Sequence, residues 1–181
     1  MALKVLLVDV DSKMPNLALM KLSAWHKARG DKVSLKENNP DRVYISCIFS
    51  WNRGKALGIA EMFPDAEVAF GGSGINFLEL PPEVEHTRPD YDLYKIDYSM
   101  GFTSRGCIRN CAFCIVPRKE GRMRDHAQIS EFLAASHRKV ILLDNNFLAS
   151  PKWKENLFFL IDNDLMVNFN QGLDIRLINQ E

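Results

Sequence analysis

The chain has 181 residues, enough for one large domain or two small ones. Apolar residues make up 46% of it and charged residues 25%, with 23 basic against 23 acidic side chains. That composition excludes a disordered chain, and it lacks the basic excess expected of a nucleic-acid-binding protein. No apolar run approaches the roughly 20 residues that span a bilayer, so no membrane partner is expected. The first residues run straight into a strand-like segment without the regions of a signal peptide, and three of the four cysteines fall within eight residues. Both features point to a reducing, cytoplasmic setting in which clustered thiols bind metal or do redox chemistry.

Residues 4–10 (KVLLVDV) form a nearly continuous apolar run, the pattern of a strand buried on both faces. Pro15 then opens a helical stretch with apolar residues at Leu17, Met20, Leu22 and Trp25, closed by Gly30. A short strand is predicted at 33–35 and a second buried strand at 42–49 (RVYISCIF), where Cys47 reads as a core residue. Residues 52–63 read as a helix ending before Pro64, and 67–70 as a strand entering Gly71-Gly72-Ser73-Gly74. Strands separated by helices imply a parallel sheet covered on both faces, so residues 1–75 are expected to form a small doubly wound, Rossmann- or flavodoxin-like α/β domain.

Pro81-Pro82 and Pro89 interrupt the pattern, and residues 76–97 read as an irregular linker. A second α/β stretch follows over 98–181. It has a short strand at 98–103, a helix at 129–136, a strand at 139–143 (KVILL), a helix at about 151–162 and a strand at 165–170. This is the logic of about three (β/α) units.

Between the first strand and helix of that stretch, residues 101–121 read GFTSRGCIRNCAFCIVPRKEG, with cysteines spaced C-x3-C-x2-C. Three close thiolates in a loop suit three irons of a cubane cluster and leave the fourth iron for a small molecule. Zinc would want a fourth ligand, for which His126 and His137 are the nearest candidates, neither at finger-like spacing. Buried free thiols are the third reading. Six cations, Arg105, Arg109, Arg118, Lys119, Arg122 and Arg124, surround the cysteines and would hold an anionic cluster, dock an acidic partner or simply be solvated. Asp144, Asn145 and Asn146 end the 139–143 strand and offer acceptors for an ammonium or a cap for the next helix.

The spacing, with Phe113 just before the third cysteine, resembles the radical S-adenosylmethionine superfamily, whose members carry this loop after the first strand of a partial (β/α) barrel. The resemblance implies that Cys107, Cys111 and Cys114 ligate a [4Fe–4S] cluster whose open iron chelates the amino and carboxylate groups of S-adenosylmethionine. Reductive cleavage of the sulfonium to a 5′-deoxyadenosyl radical is the implied chemistry. By the same resemblance Phe113 helps to seat the adenine and residues 144–146 hold the amino group. The segment 171–176 (QGLDIR) looks like a family element near cofactor or substrate, with Arg176 placed to pair with a carboxylate or to sit on the surface. A flavodoxin- or ferredoxin-like reductant is the implied partner. A non-catalytic iron–sulfur protein, carrying electrons or binding a partner, is the alternative.

A doubly wound domain ahead of such a barrel is similar to the cobalamin-binding subgroup, with Gly71-Gly72-Ser73-Gly74 where that subgroup has a glycine-rich turn. Cobalamin is therefore a candidate cofactor, although the Asp-x-His-x-x-Gly motif that supplies a lower cobalt ligand does not occur in the sequence and His26 reads as a packing or surface residue. Family barrels have about six units. The expectation is thus the first half of a barrel, as a fragment of a longer enzyme or a chain completed by a second one.

Overall fold

The structure, a computed structural model, describes residues 2–178. It divides into two compact units, Met1–Lys95 and Ile96–Glu181.

The first unit contains strand β1 (Lys4–Asp9), helix α1 (Leu17–Ala28), β2 (Lys32–Ser34), β3 (Arg42–Ser46), α2 (Arg53–Ala60), β4 (Glu67–Gly71) and the single turn α3 (Pro82–Glu85). The four strands make one parallel sheet in the order β2-β1-β3-β4. The order reverses at β1, as in flavodoxin-like sheets. Strand periodicity explains its two covered faces. Val5 and Leu7 pack on one side with Leu19 and Leu22 of α1, while Leu6, Val43 and Ile45 pack on the other with Ala56 of α2. Asn16 starts α1 by accepting from the Leu19 amide at 3.2 Å, and its amide group donates to Ser46 Oγ at 2.8 Å, tying helix to sheet.

Residues 76–95 are not a linker. Val84 is buried, and Leu80 and Leu93 pack with it against Val5, Leu7 and Leu22. The Lys21–Glu85 and Lys27–Asp90 ion pairs, 3.0 and 2.6 Å, fasten the segment to α1. Its prolines break local periodicity, but its apolar side chains complete the α1 face of the sheet.

The second unit contains β5 (Ser99–Gly101), β6 (Ser104–Arg105), the turn α4 (Val116–Lys119), β7 (Arg124–Asp125), the turn α5 (Ile129–Phe132), β8 (Lys139–Leu142), α6 (Trp153–Asp162) and β9 (Met166–Phe169). Its main sheet is parallel in the order β5-β8-β9, and β6 pairs with β7 antiparallel. The main sheet steps in one direction without reversal, the winding used by (β/α) barrels. Val140 and Leu142 face a core of Ile129, Phe132, Phe147, Leu148 and Leu160. Gly101 leaves room for a ring there, since a Cβ on it would lie 2.6 Å from Phe132 ring atoms.

The helix expected over 129–136 is only α5. Leu133 turns extended and the Ala134 amide donates to Ser99 Oγ at 2.9 Å, so a side chain of β5 takes a donor that a longer helix would use. Among the described residues, no helix is long and apolar enough to cross a membrane.

Candidate metal centre

The cysteine loop leaves the sheet through a narrow neck. Ser104 and Arg105 pair with Asp125 and Arg124, and the His126 amide donates to Thr103 O at 2.9 Å. Gly106 follows with φ +77°, and a Cβ on it would lie 2.2 Å from the Arg122 carbonyl oxygen. Only glycine satisfies both the left-handed backbone and that approach. Across the neck the Cys107 amide reaches Gly121 O at 3.4 Å.

Asp144, at the carboxyl end of β8, anchors this neck. Its buried carboxylate accepts from the Thr103 amide (3.1 Å), Thr103 Oγ1 (2.7 Å), the Ser104 amide (2.6 Å) and Ser104 Oγ (2.7 Å). Both of its oxygens are thereby engaged with the root of the loop.

Within the loop, Cys107 and Cys114 are half-buried and Cys111 is exposed, and all are free thiols. Two donors approach Cys107 Sγ: the Arg109 amide at 3.4 Å and Asn146 Nδ2 at 3.8 Å. The Cys114 amide closes a turn on Cys111 O at 3.0 Å, directly ahead of α4. Among the described residues no three His, Cys, Asp or Glu side chains are gathered to hold a metal ion. Phe113 is 94% exposed.

Residues 144–146 divide their roles. Asn145 Nδ2 donates to Glu120 Oε2 at 2.6 Å. Asn146 is 5% exposed, and its Oδ1 has no hydrogen-bond partner among the described residues. It does not cap the turn that follows, Phe147–Ala149. A buried acceptor without a donor costs about 1–3 kcal/mol and calls for an explanation, such as a ligand. Here it sits beside the first cysteine.

Two carboxylates organise the surrounding cations. Glu120, unremarked among the charges of the loop, is buried: it accepts from the Gly106 amide at 3.2 Å and pairs with Arg105 at 3.3 Å and Lys119 at 3.8 Å. Burial works to raise its pKa, but the Gly106 amide, the Arg105 and Lys119 cations and the Asn145 amide outweigh burial and hold it below the ordinary value. Arg105 also lies over the Phe102 ring at 3.6 Å. Asp174 receives Arg176 Nε at 2.7 Å and Arg109 Nη2 at 2.6 Å, clasping the cysteine loop to the segment after β9. Hydrogen bonds from Arg176 and then Arg109 bring its carboxyl down to about 2. Arg176 thus pairs with a carboxylate of its own chain.

Neither histidine serves as a zinc ligand in this arrangement. His137 is buried at the amino end of β5, its Nδ1 3.0 Å from Ser99 Oγ, at the edge of the sheet opposite the loop. The His126 ring stands edge-on to Phe102.

In the first unit, the glycine turn is explained by its own packing. A Cβ on Gly72 would lie 2.3 Å from Cys47 O, and one on Gly74 2.7 Å from the Phe49 carbonyl carbon. His26 is buried with Nδ1 2.6 Å from Asp31 and Nε2 3.0 Å from Tyr44 Oη, so neither nitrogen is open to cobalt. These residues do not fit cobalt ligation. Cys47 is fully buried, with its thiol on Phe49 O at 3.3 Å and burial pushing its pKa up.

No protein-family model matches the chain, and a search of curated proteins finds no match.

Proposed function

We propose that this chain carries the cluster-binding part of a radical S-adenosylmethionine enzyme, with Cys107, Cys111 and Cys114 as ligands of a [4Fe–4S] cluster. The observation that carries the reading is the buried Asn146, whose amide group reaches Cys107 Sγ while its oxygen has no donor among the described residues. The donor set fits the group: three free thiols on one loop, with N–H donors already aimed at the sulfur of the first. Such N–H contacts stabilise thiolate and tune cluster potential.

When bound, the cluster supplies the electron that cleaves the sulfonium of S-adenosylmethionine. The chain's own residues do the rest. Asn146 Oδ1 accepts from the ammonium of the methionyl group, an acceptor-to-cation bond stronger than a neutral one. Asp144 holds the neck of the loop to β8, and Asp174 holds Arg109. Cys111 and Phe113 lie on the exposed side of the loop. A flavodoxin- or ferredoxin-like donor of low potential meets this exposed side. Cobalamin has no part in the proposal.

The test is anaerobic reconstitution with iron and sulfide. The reading expects about four irons per chain, lost on substitution of any of the three cysteines by alanine. Stoichiometric zinc in place of iron contradicts it.

A further inference from the structure

We propose that Glu120 is a positioning residue that sets the reduction potential of the cluster through its buried negative charge. The inference rests on the iron–sulfur reading above and deepens it. Glu120 Oε2 takes the amide of Gly106, the residue before Cys107, and the side chain of Asn145, the residue before Asn146. Asn146 in turn reaches Cys107 Sγ. One carboxylate oxygen therefore holds both the backbone amide just before the first ligand and the side chain just before the residue that contacts its sulfur.

The charge is as constrained as the geometry. The Glu120 side chain is 6% exposed, and its cation Arg105 is 17% exposed, pinned over the Phe102 ring. In such a poorly solvated place a fixed charge acts on its neighbours far more strongly than in water. Adding an electron beside an anion is unfavourable, so the ionised carboxylate lowers the cluster's potential and makes it a stronger reductant. Net charge and hydrogen bonding around the sulfurs are what set such potentials. Arg105 opposes this effect, so removing it leaves more of the charge of Glu120 uncompensated, with Lys119 as its remaining cation.

The test is a redox titration of reconstituted wild-type protein, Glu120→Gln, Arg105→Gln and a control, Lys139→Gln, which removes a charge at the amino end of β8. Glutamine keeps the size of Glu120 and loses its charge. The expected result is a positive shift in Glu120→Gln, on the order of tenfold in the one-electron equilibrium or about 59 mV. Arg105→Gln shifts the other way and Lys139→Gln stays with wild type. Should Glu120→Gln fail to load, the negative shift in Arg105→Gln decides. Shifts of the same sign in both variants, or none in either, overturn the proposal and mark Glu120 as a purely structural brace. Failure of the wild type to form a cluster overturns both this proposal and the reading beneath it. A wild-type cluster that responds to S-adenosylmethionine, with an unshifted Glu120→Gln, overturns this proposal alone.

Discussion

Asn146 lays its side-chain amide 3.8 Å from the Sγ of Cys107 while its own oxygen is buried without a partner among the described residues. The two residues lie on different structural features: Cys107 follows the neck after β5, and Asn146 follows β8. The parallel pairing of β5 with β8 brings both to the carboxyl ends of adjacent strands, where open α/β sheets and barrels place their chemistry. An acceptor buried beside Cys107 without a partner among the described residues is unfavourable for folding alone, and a cationic ligand would satisfy it.

Replacing Asn146 by leucine, of similar size, therefore separates folding from function. The metal-free protein gains about 1 kcal/mol because the unmatched oxygen is gone. Urea unfolding of wild type and variant reads that change. Binding of S-adenosylmethionine to the loaded variant weakens by about tenfold or more, the loss of a hydrogen bond to a charged group. A variant that is less stable, yet binds as wild type does, contradicts the role given to Asn146.

Two glycines of the loop are expected to differ sharply. Gly106 and Gly121 have φ +77° and +74°, but only at Gly106 would a Cβ meet the chain, 2.2 Å from Arg122 O, whereas nothing lies within 4 Å at Gly121. Gly121→Ala costs about 1–2 kcal/mol, the left-handed penalty alone. Gly106→Ala adds overpacking and costs about 2–5 kcal/mol, with loss of cluster loading. Paired denaturation curves and iron determination check the difference; equal costs would rule out the neck as described.

Asp144 is expected to behave as a structural anchor. Asp144→Asn turns an amide donor toward a group of four donors from Thr103 and Ser104. Loss of the charged acceptor and the new donor–donor clash cost about 3 kcal/mol. Denaturation of the metal-free protein measures it, since no cofactor is needed for the effect.

Much of the architecture could be read before folding. The apolar runs at 4–10 and 42–49 became β1 and β3, which end at Asp9 and Ser46, sooner than the runs themselves. The cysteine spacing located the loop. Local pattern missed what only tertiary contacts decide. Leu80 and Val84 lie among prolines yet pack on α1, Ser99 cuts α5 short from another strand, and Glu120 is one charge among many until its oxygen is seen on Gly106 and Asn145. Likewise nothing in the residues 144–146 announced that the aspartate would brace the neck while the last asparagine kept an acceptor without a partner among the described residues.

Acid should release the clasp between the loop and the segment after β9. Asp174 is held from its ordinary 3.8 down to about 2 by Arg176 and Arg109. A carboxyl whose pKa is lower folded than unfolded contributes stability above the unfolded value and loses it as pH falls through the folded one. The Asp174 contribution is thus present above about pH 4 and lost toward pH 2, and Glu120, also depressed, acts in the same direction. Urea midpoints at about pH 6 and pH 3 should fall more for wild type than for Asp174→Asn. Equal falls would mean that the clasp contributes nothing.

In the proposed function, the loop holds a cluster with one iron open to S-adenosylmethionine. Electron paramagnetic resonance of the reconstituted, dithionite-reduced protein, recorded with and without S-adenosylmethionine, tests it most directly. The prediction is a reduced [4Fe–4S] signal that changes shape and position when S-adenosylmethionine is added, with the change lost in Asn146→Leu. A cluster signal indifferent to S-adenosylmethionine would make this an electron carrier and contradict the proposed function.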